Sequence, residues 1–529
     1  MKKLKMGLAV SLATVVLTAF SGCSNVIEVN VPHPTPVSIA DLESKYSASN
    51  PITIDFWTGF GSDMTKALTA EDGSGVLDAF MEKYPYIKVA HESKGGYTNL
   101  QKAVNLGVTN RSYPNIVVGY PDHFAGYITS NIQYELDTFI EHEDYGMDLD
   151  LFNPQFMKEN QELMYKDEAK TQPYTMGVPF NKSTEVLVYN KTFFDFYGLT
   201  VPNTWAEVEA VSNQACTTIK ALFDNAASLT GDAKTEALKV KDDKGNVVLD
   251  FSALQSSDEF YPISWDSQSN FFITVCRQWK GEYTSMDSVE KGYIEFKNDN
   301  VKQGLTYFTN MFKNHYLGIP STWDEEQYCS DPFKALKSIM TISSSAGIKN
   351  NIPSGHKFEV GIKEIPYYTE DAKYVISQGT NLALLKGSAD ETTAAWLLLK
   401  YLTEGEGNVN FAINTGYLPV TSGTTTIDGK EVGVGEESTT YQEFLNSYSP
   451  LALDKCRVQV ASIAKNDYTD AKGWTKFVDP AFRGSSAIRE EVGTVFPILF
   501  YGSEGKTYTP DTVIDYLYGR LSAYVRNEE

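Results

Sequence analysis

"VPFNKSTEVLVYN" (Val178–Asn190) sets a polar clump, Asn181, Ser183 and Thr184, directly against a β-branched apolar run. Such a run reads as a buried strand. Polar side chains at its mouth must find hydrogen-bond partners or stay wet, because burying them unpaired costs free energy. The stretch therefore predicts a strand that starts at an open polar surface and enters a core.

Similar signals lie on either side of it. "ITIDFWTGF" predicts a strand over Ile52–Trp57, "GVLDAFMEKYP" a helix, and "YIKVAHES" and "YPNIVVGYP" two further strands. Downstream, Thr204 and Glu207 stand at capping-box spacing before "WAEVEAVSNQACTTIKALF", and Ser388 and Glu391 before "AAWLLLKYL". The charged, turn-rich stretch Ala226–Asp250 reads as a surface insertion. "SIMTISSSAGI" and "KFEVGIKEIPYY" read as strands of a second sheet, "TTTIDGKEVGVGEESTT" as a loop or hairpin, and Pro510–Asn527 as a helix. Strands alternating with helical patterns predict an α/β fold with a largely parallel sheet. A chain of 529 residues predicts two domains or more.

The amino terminus, "MKKLKMGLAVSLATVVLTAFSGCSN", runs from Lys2, Lys3 and Lys5 through an apolar stretch to Ser21-Gly22-Cys23. This is the order of a bacterial export signal, and its apolar run is too short for an ordinary membrane-spanning helix. Small residues before Cys23 resemble a lipobox, which makes Cys23 the lipidated first residue of the mature protein; a plain cleaved signal is the alternative. Ser24–Asn50, with Pro32, Pro34 and Pro36, reads as a tether. Cys216, Cys276, Cys329 and Cys456 are widely spaced, compatible with one or two disulfides or with free buried thiols.

With 68 acidic against 45 basic residues the net charge is −23. Such a surface repels nucleic acid and anionic lipid, which disfavours a nucleic-acid role. Phosphate-loop chemistry is not specified: "GSEGKTY" has Phe500 where the leading glycine is needed, and "GVGEES" has Ser438 for its third. The six histidines are scattered, so no zinc site is expected. The carboxylates of Glu141–Leu151 read as a solvated acidic face. No catalytic residue stands out, although a glycosidase needs only two placed carboxylates.

The opening stretch, extended to "VPFNKSTEVLVYNKTFFDFYGLTVPNTWAEV", resembles the crossover region of extracellular solute-binding proteins of ATP-driven importers, the large sugar-binding class. "ITIDFW", "YPNIVVGYP", "MTISSSAGI", "SQGTNLALLKGSADETTAAWLLLKYL" and "NTGYLPVT" follow the same family in order. The resemblance implies a two-lobed α/β fold of the periplasmic-binding-protein type, with hinge crossovers and a ligand cleft between lobes. The first lobe would hold Pro51–Thr184 and Thr369–Thr415, the second Glu185–Tyr368 and Gly416–Glu529.

Within that class the likeness is greatest to the branch that binds glycerol-3-phosphate and glycerophosphodiesters. That branch's contact positions fall on Tyr97, Ser183, Trp265, Ser344, Gly379, Tyr417 and Arg489, while its glutamate position holds Pro121 with Asp122 adjacent. The chemistry suits a phosphate ester: a forked guanidinium at Arg489, hydroxyl donors at Tyr97, Ser183, Ser344 and Tyr417, a close backbone amide at Gly379, and a ring for stacking at Trp265. Sugars want a similar surface with more carboxylates. The resemblance thus implies an exported, lipid-anchored, monomeric binding protein that hands a small polar solute to a membrane permease without turning it over. No bond is then made or broken, so no cofactor is expected. A sugar or oligosaccharide is the alternative ligand. A secreted carbohydrate-active enzyme, or a surface adhesin, is the alternative class.

Overall fold

The computed structural model describes residues 30–427, 429–447 and 452–525; the export signal and Cys23 lie outside them. One mixed sheet of ten strands runs through the molecule. Its strands are β1 (Ile52–Thr58), β2 (Ile87–Ser93), β3 (Ile116–Gly119), β4 (Val178–Asn190), β5 (Ile263–Trp265), β6 (Leu317–Gly318), β7 (Met340–Ser344), β8 (Val360–Lys363), β9 (Lys373–Leu384) and β10 (Trp474–Phe477). They run in the order β6-β5-β7-β4-β9-β3-β1-β2, with β8 also on β4 and β10 also on β9. The flanks are parallel, and β10 joins the central β9 in parallel; β4 pairs antiparallel with β7, β8 and β9, and β9 with β3. The sheet is thus neither largely parallel nor split in two, because β4 and β9 are long enough to pair at both ends.

Those two strands carry the architecture. Ser183 and Thr184 of β4 pair with Gln378 and Ser377 of β9, whereas the next residue, Glu185, pairs with Ser344 of β7. β9 changes partner likewise: Lys373–Ile376 pair with β10, and from Ser377 onward the strand pairs with β4 and β3. On one side of these switch points a core gathers Phe56, Phe80, Val118, Phe180, Leu384 and Trp396. On the other, a second core gathers Val186, Val188, Trp205, Trp265, Ile342 and Phe496.

The helices form where the caps place them. Trp205–Ala226 and Ala389–Thr403 both start with complete capping boxes, Thr204 with Glu207 and Ser388 with Glu391, which satisfies backbone donors that a helix start leaves orphaned. Ala389–Thr403 buries ten of its side chains, so its apolar surface goes well beyond one stripe and is covered by both sheet and neighbouring helices.

Four segments differ from the sequence reading. The expected tether is docked from Val31 onward: Leu42 is fully buried, the Glu135 amide donates to the Pro32 carbonyl, the Val37 amide donates to Thr393 Oγ1, and Lys45 pairs with Asp390. Apolar residues on either side of the prolines, Val31, Val37, Ile39 and Leu42, supply this grip. The stretch 226–250 forms a short helix, Gly231–Ala237, and a hairpin, but Val240 and Leu249 join the second core and Leu238 is buried, so it is anchored rather than merely superficial. The return to the first core falls at Ile376–Ser377, not at Thr369, because Val375 and Ile376 pack in the second core. After Gly416 the chain does not pass directly into the second core. The Val420 carbonyl accepts from the Asn153 amide and the Ser422 amide donates to Leu151, while the hairpin Thr424–Ile427/Lys430–Gly433 follows; Ala452–Ser462 then packs against β8. Cys216, Cys276, Cys329 and Cys456 are free thiols.

Candidate functional site: a cleft between two cores

β4 delivers its polar clump to the seam between the cores. Two of the three residues serve the sheet itself. Thr184 Oγ1 donates to the Ile376 carbonyl at 2.8 Å, and Asn181 Oδ1 accepts from the Thr380 hydroxyl and amide. Ser183 is 4 % exposed, and its hydroxyl makes no hydrogen bond among the described residues. Gly379, opposite Lys182, has φ +95°, and a Cβ there would lie 1.8 Å from the Asn181 carbonyl oxygen. Only glycine permits this backbone approach.

The first-core wall is aromatic. Tyr97 begins the helix Tyr97–Gly107 after Gly95 and Gly96, both at positive φ. Gly59 makes room for this turn, since a Cβ on it would sit 2.8 Å from the Tyr97 nitrogen. The Tyr97 ring meets Tyr120 edge to face at 5.1 Å. Tyr417, just past the end of Gly405–Thr415, stacks near Phe411, and its hydroxyl points to Met64 Sδ at 3.8 Å. Tyr97, Tyr417 and the Asn181 carboxamide are electrostatically coupled, and burial raises both phenols above their ordinary range.

The opposite wall carries the charge. Arg489, on the helix Ser485–Val492, donates Nη1 to Asp479 Oδ2 at 2.8 Å and Nη2 to Asn270 Oδ1. Burial opposes its charge, but Asp479, Asp122 and the hydroxyls of Tyr283 and Tyr120 together outweigh that and hold the guanidinium firmly protonated. Asp122, in the first turn of Pro121–Thr129 on the first-core side, thus faces Arg489 across the seam. Glu185 is 1 % exposed and receives Trp265 Nε1 at 3.1 Å and Asn270 Nδ2 at 3.0 Å. Burial raises its carboxyl to about 7 against these two donors. Burial does the same to Asp266, which also titrates at about 7 although it accepts the Cys329 amide at 2.7 Å.

Two cavities open along the seam. One of about 380 Å³ is walled by Ser62–Met64, Glu185, Asp266, Tyr328, Ser344 and Tyr417, among others. The second, of about 540 Å³, is walled by Pro121, Glu159, Arg277, Asp287 and Asp479, among others. Arg489 lines neither, but its Nη1 bonds Asp479 in the wall of the second and its Nη2 bonds Asn270, which also donates to Glu185 in the wall of the first. Polar contacts already cross the seam: Asp63 with Lys349, Gln101 Nε2 with Ser486 Oγ at 3.0 Å, and Lys170 with the Asp287 carbonyl. A cavity of about 690 Å³ beside Tyr84, Lys400 and Tyr401 draws no wall from the second core.

Of the expected residues, Ser344 and Tyr417 line the 380 Å³ cavity, Ser183 and Gly379 sit on β4 and β9 next to the switch points, and Tyr97, Asp122 and Arg489 line neither seam cavity. Trp265 does not reach the seam. Its ring is 0 % exposed and sandwiched, 5.8 Å from Trp205 and 4.4 Å from Phe271 in near-parallel stacks. Both faces are taken, so it cannot stack on a solute; it acts through its N–H on Glu185. Sequence reasoning missed Tyr120, Glu185, Asp266 and Asp479. Glu185 did carry a signal, a lone carboxylate inside an apolar strand.

The family model described as "Bacterial extracellular solute-binding protein" matches residues 75–432. The sn-glycerol-3-phosphate-binding periplasmic protein UgpB of Shigella flexneri is 25% identical over 382 residues, covering 70% of this chain and 74% of the relative. Among solved structures, UgpB from Mycobacterium tuberculosis in complex with glycerophosphocholine superposes with a TM-score of 0.60 at 16% identity, over 89% of this chain and 98% of that one. An ABC substrate-binding protein from Listeria monocytogenes in complex with cycloalternan gives 0.61 at 14% identity, over 89% and 98%. Those two share the fold. With two cores joined by switching strands and a polar cleft at the seam, the chain belongs to the bacterial extracellular solute-binding proteins.

Proposed function

We propose that the protein captures glycerol-3-phosphate or a glycerophosphodiester between its two lobes and delivers it, unchanged, to the permease of an ATP-driven importer. The observation that carries this reading is Arg489, a guanidinium one-third exposed beside the seam, close enough to Tyr120 and Asp122 of the other wall to feel their charge. A phosphate ester needs a cation and several neutral donors; Ser344 and Tyr417 line the 380 Å³ cavity and would supply hydroxyls there, with Tyr97 and Ser183 close behind. The resemblance to sn-glycerol-3-phosphate-binding proteins supports the same class. The solute touches both walls only when they are together, so it favours the closed form by its differential affinity for that form. Cys23 would hold the protein, as a monomer, at the membrane beside its permease.

A second reading, a sugar or oligosaccharide, is favoured by the carboxylates. Asp122, Asp479, Glu185 and Asp266 outnumber the Arg489 cation, and carboxylates accept hydroxyls well.

A thermal-shift screen of sugars, polyol phosphates and phosphodiesters separates the two. A solute at about 100 times its Kd stabilises by roughly 2.7 kcal/mol. Phosphorylated solutes are expected to raise Tm in wild type and not in Arg489→Ala. Sugar stabilisation equal in both proteins, with none from phosphates, would reject the phosphate assignment. Solute recovered chemically altered would reject the binding role in favour of an enzyme.

A further inference from the structure

Where β4 changes partners, one polar atom is left over. Both donors to Glu185, Trp265 Nε1 and Asn270 Nδ2, reach Oε1; Oε2 is buried and has no partner among the described residues. Glu185 borders the 380 Å³ cavity, and so does Asp266, 9 % exposed and held in place by the Cys329 amide. A buried carboxylate oxygen without a donor is costly, more so than a neutral acceptor. The nearby guanidinium of Arg489 does not supply it either: Nη1 goes to Asp479 and Nη2 to Asn270, and neither reaches Oε2. Ser267, Ser344 and Tyr417 line the same cavity with hydroxyls but none bonds Oε2. The missing donor must come from whatever fills the space.

We propose that Glu185 and Asp266 form an acceptor subsite for solute hydroxyls, placing a diol, from a glycerol unit or a sugar ring, at this end of the cleft. The anionic part of a phosphate ester then lies toward Arg489. Hydroxyl donors fit better than a quaternary ammonium, which carries no proton to offer Oε2. The raised titration of both carboxyls agrees with a site that is desolvated before any solute arrives. This assignment rests on reading the cleft as the solute site, and it holds for either ligand class.

The test is calorimetric titration of the full chain with glycerol-3-phosphate, glycerophosphocholine and maltotriose, using wild type, Glu185→Gln and Asp266→Asn. Glutamine keeps the shape and the Oε1 acceptor but turns the free acceptor into a donor. Each probe that binds wild type is expected to bind Glu185→Gln at least about tenfold more weakly, the loss of one charge-assisted hydrogen bond, and Asp266→Asn also more weakly. A deoxy analogue of the binding probe should bind wild type as weakly as the variants bind the parent. Equal affinity across wild type and both variants would overturn the subsite and leave the cleft reading standing. Wild type that binds deoxy and parent compounds equally would overturn it even if a variant failed to fold. Absence of binding by wild type to all three probes would overturn the cleft reading and the subsite with it.

Discussion

Arg489 is bound before any ligand comes. Asp479 occupies one arm of its fork and Asn270 the other, so a phosphate must share or displace a carboxylate. Asp479→Asn should therefore tighten phosphorylated solutes by up to about tenfold, because it removes a competing anion, and leave neutral sugars near their wild-type Kd; calorimetry reads both. Gly379 makes a different demand. Its φ of +95° and the 1.8 Å approach to the Asn181 carbonyl mean that Gly379→Ala must displace β4 itself, at a cost above about 2 kcal/mol from strain and overpacking, measured as a fall in Tm without solute. Glu185 and Asp266 set a pH dependence. Burial lifts each carboxyl to about 7 in the fold, with Asp266 adding to the rise and Arg489 opposing it at Glu185, and with Cys329 opposing it at Asp266. Between the ordinary carboxylate range and pH 7 the folded chain holds protons that the unfolded chain has lost. The stability from these groups is complete below about pH 4 and disappears as pH rises through 7, by roughly 3 kcal/mol for each. Ligand-free Tm should fall over that interval, and Glu185→Gln should flatten the fall. At this scale the sequence was readable for the seam residues that carry family motifs. It was not readable for Trp265, whose fate was settled by Trp205 and Phe271, rings distant in sequence or on the next helix. Tyr120 escaped notice because Pro121 beside it broke the family pattern, although it ends β3, at the carboxyl edge where α/β sheets hold ligands.

β4 and β9 are the elements on which the seam depends, and a buried ion pair ties them down. Lys182, fully buried on β4, donates to Glu159 and to the Gly379 carbonyl, and Asn381 of β9 donates to the same Glu159 oxygen at 2.7 Å. Replacing Lys182 with methionine strands Glu159, which is expected to cost about 3–5 kcal/mol; pairing it with Glu159→Gln should recover part of that loss, and a comparison of the thermal midpoints checks both. The two capping boxes were legible because each needs only residues three apart. The docked segment before Ile52 was not. Prolines and charges gave it the composition of a linker, while its grip comes from single apolar residues, Val31 and Leu42, that meet partners such as the helix Ala389–Thr403 far along the chain. Nor could the spacing of residues reveal one sheet in place of two, since that depends on β4 exchanging β9 for β7 between Thr184 and Glu185.

For the molecule as a whole, the sheet is continuous while the two hydrophobic cores are distinct clusters, with Val289 and Ala481 reaching from the second lobe's segments into the first core. Among the described residues, polar contacts across the seam include Asp63 with Lys349, Gln101 with Ser486, Lys170 with the Asp287 carbonyl, and Arg457 with the Ile413 carbonyl. The first is half-exposed and worth little alone, which suits a closure completed by solute. The α/β class and the two-lobed division were readable from patterning and motif order, because both follow from local periodicity and from β4. Where the chain returns between lobes was not, because the returns are set by pairing with β10 and by packing after Gly416. The central claim is that the solute lies at the seam, between Tyr417 and Arg489. A crystal structure of the full chain with the solute that most raises Tm tests it most directly. The account predicts density within hydrogen-bond reach of Tyr417, Ser183 or Ser344 and of Arg489 or Glu185, touching both walls. Density confined to the cavity beside Tyr84 and Tyr401, on one core alone, would contradict it.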